Sequence, residues 1–211
     1  MKTSVVRLAA AAVIALGGFA SQADVIYNNG DPNGYMGQTS NYFATIIDGF
    51  TLEEGTSTVT DFHWYGGYYY CTPQSDDFTL YILDENRNVL SVIDGSATIR
   101  SSTGDTLVTP FSQYTYNEYY YELYIDPLAL TPGSTYYLGI SNDAAGGWAW
   151  EYAHFFGGDA TYWYQPTNTF SCGGQSDFSY QLTGTVVPEP ASMILMGFGL
   201  VVVAARKKIL A

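Results

Sequence analysis

The sequence predicts an all-β protein, a two-sheet antiparallel β-sandwich of jelly-roll type over residues 24–186. Three observations predict it. Apolar and polar residues alternate in short runs, and no stretch of this span shows the 3.6-residue period of a helix. Gly, Asn, Asp and Pro interrupt those runs at fairly regular spacing, as in antiparallel sheets joined by tight turns. About eight to ten strand-like runs fit into the span with turn signals between them, as in a two-sheet sandwich of jelly-roll type.

The elements follow in order. Val25–Asn28 opens the body. In Thr58–Tyr65, Val59, Asp61, His63 and Tyr65 alternate with Thr58, Thr60, Phe62 and Trp64. Phe78–Leu83 places Phe78, Leu80 and Ile82 on one face, and the polar link Asp84–Asn88 leads to Val89–Ile93, so the two runs read as a hairpin. Tyr114–Ile125 is the longest expected strand, with its alternation blurred because tyrosine tolerates both faces. Thr131-Pro132-Gly133 is a turn before the strand Thr135–Ser141. Trp148, Trp150 and Tyr152 alternate with Ala149, Glu151 and Ala153. Ala160–Tyr164 and the run Phe178, Tyr180, Leu182 close the body. The total is about eight to ten strands, with a barrel as the structural alternative and no repeat that would suggest a solenoid or propeller.

Charge narrows the partners. The chain carries a net charge of −13, unevenly distributed. Between residues 24 and 187 only Arg87 and Arg100 are basic, against 19 acidic residues. A body this acidic repels phosphate backbones, which excludes nucleic-acid binding. With 47% hydrophobic residues it still has enough apolar surface to fold as one domain.

Both ends read as processing signals. Lys2 and Arg7 precede the apolar run Leu8–Phe19, and Ser21-Gln22-Ala23 supplies small residues for cleavage between Ala23 and Asp24. Residues 1–23 are therefore expected to be a signal peptide, with cleavage after Ala20 as the competing site. At the other end, Val187-Pro188-Glu189-Pro190 precedes the apolar run Ala191–Ala205, and Arg206-Lys207-Lys208 follows. As a helix that run spans about 22 Å, short of the roughly 30 Å hydrocarbon core, a mismatch met by bilayer thinning and snorkelling. The basic cluster should stay cytoplasmic, leaving the body on the far side of the membrane.

The order V-P-E-P, short apolar helix, R-K-K resembles the PEP-CTERM sorting signal. That resemblance covers residues 187–208 and, with the tail, defines a third segment, 187–211. It implies an exosortase-like membrane transpeptidase as partner, transient anchoring in the inner membrane through the C-terminal helix alone, cleavage near Pro188-Glu189-Pro190, and delivery to the cell surface or the extracellular matrix. The body also resembles the β-rich ectodomains that accompany this signal, through its W-Y-G, D-D-F and closing D-F-x-Y-x-L-x-G segments. No functional residue is carried over from that second resemblance.

Cys71 and Cys172 are the two cysteines, and export favours a disulfide between them. It would close a loop of about a hundred residues, for which chain entropy gives roughly 4–5 kcal/mol.

No catalytic constellation is expected. There is no G-x-S-x-G, no H-E-x-x-H and no phosphate-binding glycine pattern, and His63 and His154 read as structural or surface residues. Glu118 and Glu122 lie about 13 Å apart along one strand face, too far for glycoside hydrolysis, while a long-range pair such as Glu122 with Glu151 stays open. Trp148 and Trp150 share a strand face about 7 Å apart. They are the candidate stacking platform for a sugar polymer, with burial in the core as the alternative. Asp84-Glu85-Asn86-Arg87-Asn88 begins like a calcium loop, but Val89 replaces the required Gly and Gly95 the required Glu, so a hairpin turn is expected. Asn28–Gly34 and Asp76-Asp77 are looser candidates. No cofactor is expected; weak, distributed calcium binding would not be surprising in so acidic an exported domain, with no ligand set and no metal site to name. The functional expectation is a non-enzymatic surface or matrix protein associated with exopolysaccharide. The alternatives are a polysaccharide-active enzyme on the same fold and a self-assembling surface protein.

Overall fold

The structure is a computed structural model that describes residues 23–53, 55–70, 75–109, 114–144, 147–154, 158–172 and 176–186. The expected signal peptide up to residue 22, Cys71, the sorting signal and its apolar run lie outside the described residues. None of the described helices is long and apolar enough to cross a membrane.

The described chain is almost entirely strand. The strands are β1 (Asp24–Asn28), β2 (Met36–Thr39), β3 (Thr45–Thr51), β4 (Thr56–Tyr68), β5 (Phe78–Leu83), β6 (Val89–Asp94) and β7 (Ile99–Val108). They continue with β8 (Thr115–Ala129), β9 (Thr135–Asn142), β10 (Trp148–His154), β11 (Thr161–Tyr164), β12 (Thr169–Cys172), β13 (Asp177–Phe178) and β14 (Tyr180–Val186). One sheet of six strands runs β12-β11-β3-β9-β5-β6. The other, of eight, is built around β4, which pairs β14 and then β10 along one edge and β8 along the other. All strand pairings are antiparallel, and the chain passes repeatedly from one sheet to the other, so the two faces must close on each other as a sandwich.

The core fills that interface. Phe62, Trp64, Tyr121, Leu123, Trp148, Trp150 and Tyr180 come from the larger sheet, and Ile46, Phe50, Phe78, Leu80, Leu138 and Ile140 from the smaller. The edge-on contacts of Phe78 with Trp64, Tyr121 and Trp148, at 5.2, 4.9 and 5.1 Å between centroids, tie the sheets together. A register shift between Val59 and Asp61 explains a departure from simple alternation. The bulge lets Val59 join Phe62 in the core while Asp61 and His63 face outward.

The expected β5–β6 hairpin forms with antiparallel pairing from Thr79–Asp94 to Leu83–Val89. Its connection is an ordinary turn. Asp84 Oδ1 accepts from the backbone N–H groups of Asn86 and Asn88 at 2.9 and 2.8 Å, and the Asn88 side-chain amide donates to its Oδ2 at 2.9 Å; the amide bond first, and the backbone bonds after it, hold its carboxyl below the usual range. Four strands were not expected from the sequence: β2, β3, β7 and β12.

The stacking-platform reading of Trp148 and Trp150 is corrected. Both rings lie between the sheets, 1% and 0% exposed. Gly66 and Gly67 of β4 make this packing fit: a Cβ on Gly66 would meet Ala149 O at 2.5 Å and Trp148 Nε1 at 2.8 Å.

Candidate functional site

Four groups of side chains carry chemistry. The first is a pocket at one end of the sandwich, where the β2–β3 and β9–β10 connections meet. Ser40 joins them. Its N–H donates to Trp148 O at 3.3 Å, its carbonyl accepts from Asn142 N at 3.1 Å, and its hydroxyl bridges Ile140 O and Ile46 N. Asn41 then builds a tight turn, its Oδ1 accepting from Phe43 N and Ala44 N at 3.0 and 3.1 Å. The turn pushes Tyr42 and Phe43 outward, 45% and 71% exposed, with their rings edge to face at 5.6 Å. Across the gap, Asp143 Oδ1 accepts from Tyr42 N at 2.7 Å, and Asn142 Oδ1 accepts from Asp77 N and Ala144 N. The pocket between these walls has a volume of about 340 Å³, with Phe43, Asn41, Asn142 and Asp143 on its walls and Trp148 among its lining residues. An exposed aromatic ring beside amides and a carboxylate can stack on a sugar face and bond its hydroxyls.

The second group lies on the outer face of the larger sheet. His63 Nε2 meets Asp61 Oδ1 at 2.5 Å, and its Nδ1 meets Tyr120 Oη with Glu122 Oε1 at 3.9 Å. Thr60 and Thr183 also donate to Asp61. This network holds β4, β8 and β14 together.

The third is a carboxyl pair. Gly66 pairs with both Trp150 and Tyr119, the residues adjacent to Glu151 and Glu118. Across this side-chain-free stretch of β4, Glu118 comes within hydrogen-bonding reach of Glu151. Both are buried, 5% and 0% exposed. Glu151 Oε1 accepts from Gly34 N at 2.8 Å, while its Oε2 meets no donor. Burial first, and the Glu118 charge second, push Glu151 up to about 8; burial also raises Glu118. Glu122, the partner left open by the sequence, is instead beside His63 and Tyr124.

The fourth is Asp48, Asp159 and Asp177, whose nearest carboxylate oxygens lie within 4.8 Å of one another. Asp48 is buried and raised well above the usual carboxylate range by that burial, although Phe178 N and Asn29 Nδ2 each donate to its Oδ2 at 2.8 Å. Three converging carboxylates can hold a cation through oxygen ligands. The calcium-like turn at Asp84 and the Asp76-Asp77 pair do not join them: Asp76 is bound to Arg100 at 3.2 Å.

Cys172 closes β12 opposite Thr161, and its intended partner Cys71 lies outside the described residues. The pocket, the Glu pair and the Asp cluster all escaped sequence reasoning. The signals were Asn41-Tyr42-Phe43, a turn former before two aromatics, and Gly66-Gly67 within a strand.

Residues 186–208 match the family model of the PEP-CTERM protein-sorting motif. No curated protein matches the chain. The motif marks an exported protein that is processed by exosortase, a membrane protein, on its way to the cell surface.

Proposed function

We propose that the sandwich is a non-enzymatic, glycan-contacting module of the cell surface or extracellular matrix, associated with exopolysaccharide through the pocket at Asn41–Phe43 and Asn142–Asp143. The observation that carries this reading is the exposed Tyr42–Phe43 pair beside a pocket of about 340 Å³ that has Asn41, Asn142 and Asp143 among its lining residues. A solvent-facing aromatic pair on a rigid turn loses little entropy on binding and offers a ready stacking surface. The non-enzymatic part is supported by the burial of the Glu118–Glu151 pair, 5% and 0% exposed, which leaves neither carboxyl open to a polymer.

The test is binding of the producer's exopolysaccharide to the exported protein by titration calorimetry, with Phe43→Ala beside the native chain. Phe43→Ala should weaken binding by about tenfold or more while the melting temperature stays unchanged. Binding unaltered by this change would remove the pocket from the proposal. Oligomers formed without any glycan would favour self-assembly instead, through the exposed Val89, Leu90 and Val92 of the edge strand β6.

The same reading includes the Cys71–Cys172 disulfide, visible as a mass change on reduction. It also includes weak calcium binding, for which Asp48, Asp159 and Asp177 are the place where three carboxylates converge. Millimolar calcium should raise the melting temperature by a few degrees, since a ligand that binds only the folded state stabilises it. Asp159→Asn should abolish the rise, and a rise that persists in Asp159→Asn places the ion elsewhere.

A further inference from the structure

We infer that the glycan taken by this pocket carries free amino groups: an amino-sugar polymer, not a uronic-acid or sulfated one. The inference rests on the glycan-binding reading above and adds the chemical class of the ligand.

Recognition of an anionic sugar needs a cation that can reach it. The body has two basic residues, Arg87 and Arg100, and the fold uses both elsewhere. Arg87 turns back from the β5–β6 connection with φ 64°, over the outer face of the smaller sheet. Its guanidinium lies 4.9 Å from the Phe170 ring centre and 5.4 Å from that of Tyr137, and it donates to Thr161 Oγ1. Arg100 is bound to Asp76 and lies over the Tyr119 and Tyr68 rings at 5.3 and 5.9 Å. Neither lines the pocket.

The charge that does line it is negative. Asp143 forms one wall, and Asp77 is fixed beside it by a backbone bond, Asp143 N to Asp77 O at 3.0 Å, and by Asp77 N donating to the Asn142 side-chain Oδ1 at 3.2 Å. The acidic body adds its own field, which raises the local concentration of cations and depletes anions. An ammonium group on a sugar meets a carboxylate for a charge-assisted bond and an aromatic rim, Phe43 and Tyr42, for cation–π contact. A uronate meets only repulsion there.

The test uses the full chain in mild detergent and three probes: a glucosamine hexamer, its fully N-acetylated counterpart and a uronic-acid hexamer. At about 20 mM salt the glucosamine hexamer should bind roughly tenfold tighter than the acetylated one, and the gap should close toward about 300 mM as screening grows. The uronate hexamer should not bind. Asp143→Asn retains the acceptor for Tyr42 N, and it should narrow the gap several-fold by weakening the glucosamine hexamer more than the acetylated one. Phe43→Ala should weaken both hexamers alike. Equal affinity for the two hexamers, or tighter binding of the uronate, overturns the amino-sugar inference and leaves glycan binding standing. Salt-sensitive binding that survives Phe43→Ala is adhesion to the acidic body at large and overturns the assignment to this pocket. Binding of none of the probes, together with no binding of the producer's own polysaccharide, overturns the glycan reading itself.

Discussion

Trp150→Ala should destabilise the folded protein by about 3–5 kcal/mol, the usual cost of deleting a large aromatic side chain from a packed interior. Trp150 is fully buried, and its ring packs on Phe178 at 5.1 Å and Tyr180 at 5.5 Å. Its Nε1 donates to Ser179 O at 3.0 Å. One side chain thereby joins β10, β13 and β14, and its removal leaves both a cavity and a carbonyl without its donor. For a domain of this size the midpoint of thermal unfolding should fall by on the order of 10 °C. Circular dichroism melts read this directly. Trp150→Phe should recover part of the loss, because the phenyl ring refills much of the space but leaves a smaller cavity and forgoes the hydrogen bond. Phe43→Ala is the contrast, an exposed ring whose loss should change stability by less than about 0.5 kcal/mol. A Trp150→Ala protein as stable as the native one would mean that the ring is not in the core.

The Glu118–Glu151 pair should make the protein lose stability as pH rises. Glu151 in the folded chain is pushed from the usual 4.5 up to about 8, by burial and by Glu118. Below about pH 4.5 both the folded and the unfolded chain hold the proton, and the pair's contribution is fully present. Between 4.5 and about 8 the folded chain holds a proton that the unfolded chain has released, so each rise in pH favours unfolding. Above about 8 that contribution is gone. The slope for one proton is at most about 1.4 kcal/mol per pH unit, so the loss across the window is on the order of a few kcal/mol. Glu151→Gln mimics the protonated acid. It should flatten this part of the profile and be more stable than the native chain at pH 8.5, with little difference at pH 4. Asp48, also raised by burial, contributes a slope of the same sign that Glu151→Gln leaves in place. Urea midpoints measured from pH 4 to 9 would decide. A native profile that Glu151→Gln does not flatten would show that folded Glu151 does not hold its proton through this window.

The strands legible in the sequence are those with a strong period of two. The β5–β6 hairpin, β8, β9 and β10 lie where alternation and turn residues placed them, within a few residues at their ends. The four missed strands lack that signal for identifiable reasons. In β3 the buried Asp48 and Gly49 interrupt an apolar run and read as a turn, though Asp48 is accommodated by bonds from Asn29 and Phe178. In β7, an edge strand, polar side chains occupy both faces because little covers either. β2 and β12 are four residues each, too short to show a period. The same limit applies to Trp148 and Trp150. Their spacing puts them on one face, and only the second sheet packed against that face makes it the interior.

By itself the sequence determined the class of fold, the strong acidity of the body, and the sorting motif at residues 186–208. Each of these is written locally, in periodicity, composition or a linear signal. Only the tertiary structure decided which aromatics are buried and which form a rim. It also decided that Glu118 meets Glu151 rather than Glu122, that Asp48 gathers Asp159 and Asp177, and that both body arginines are engaged. Those outcomes depend on strand pairing between distant segments. In an antiparallel sandwich a neighbour across the sheet is set by register and by which face is covered, and neither is encoded in the spacing along one strand.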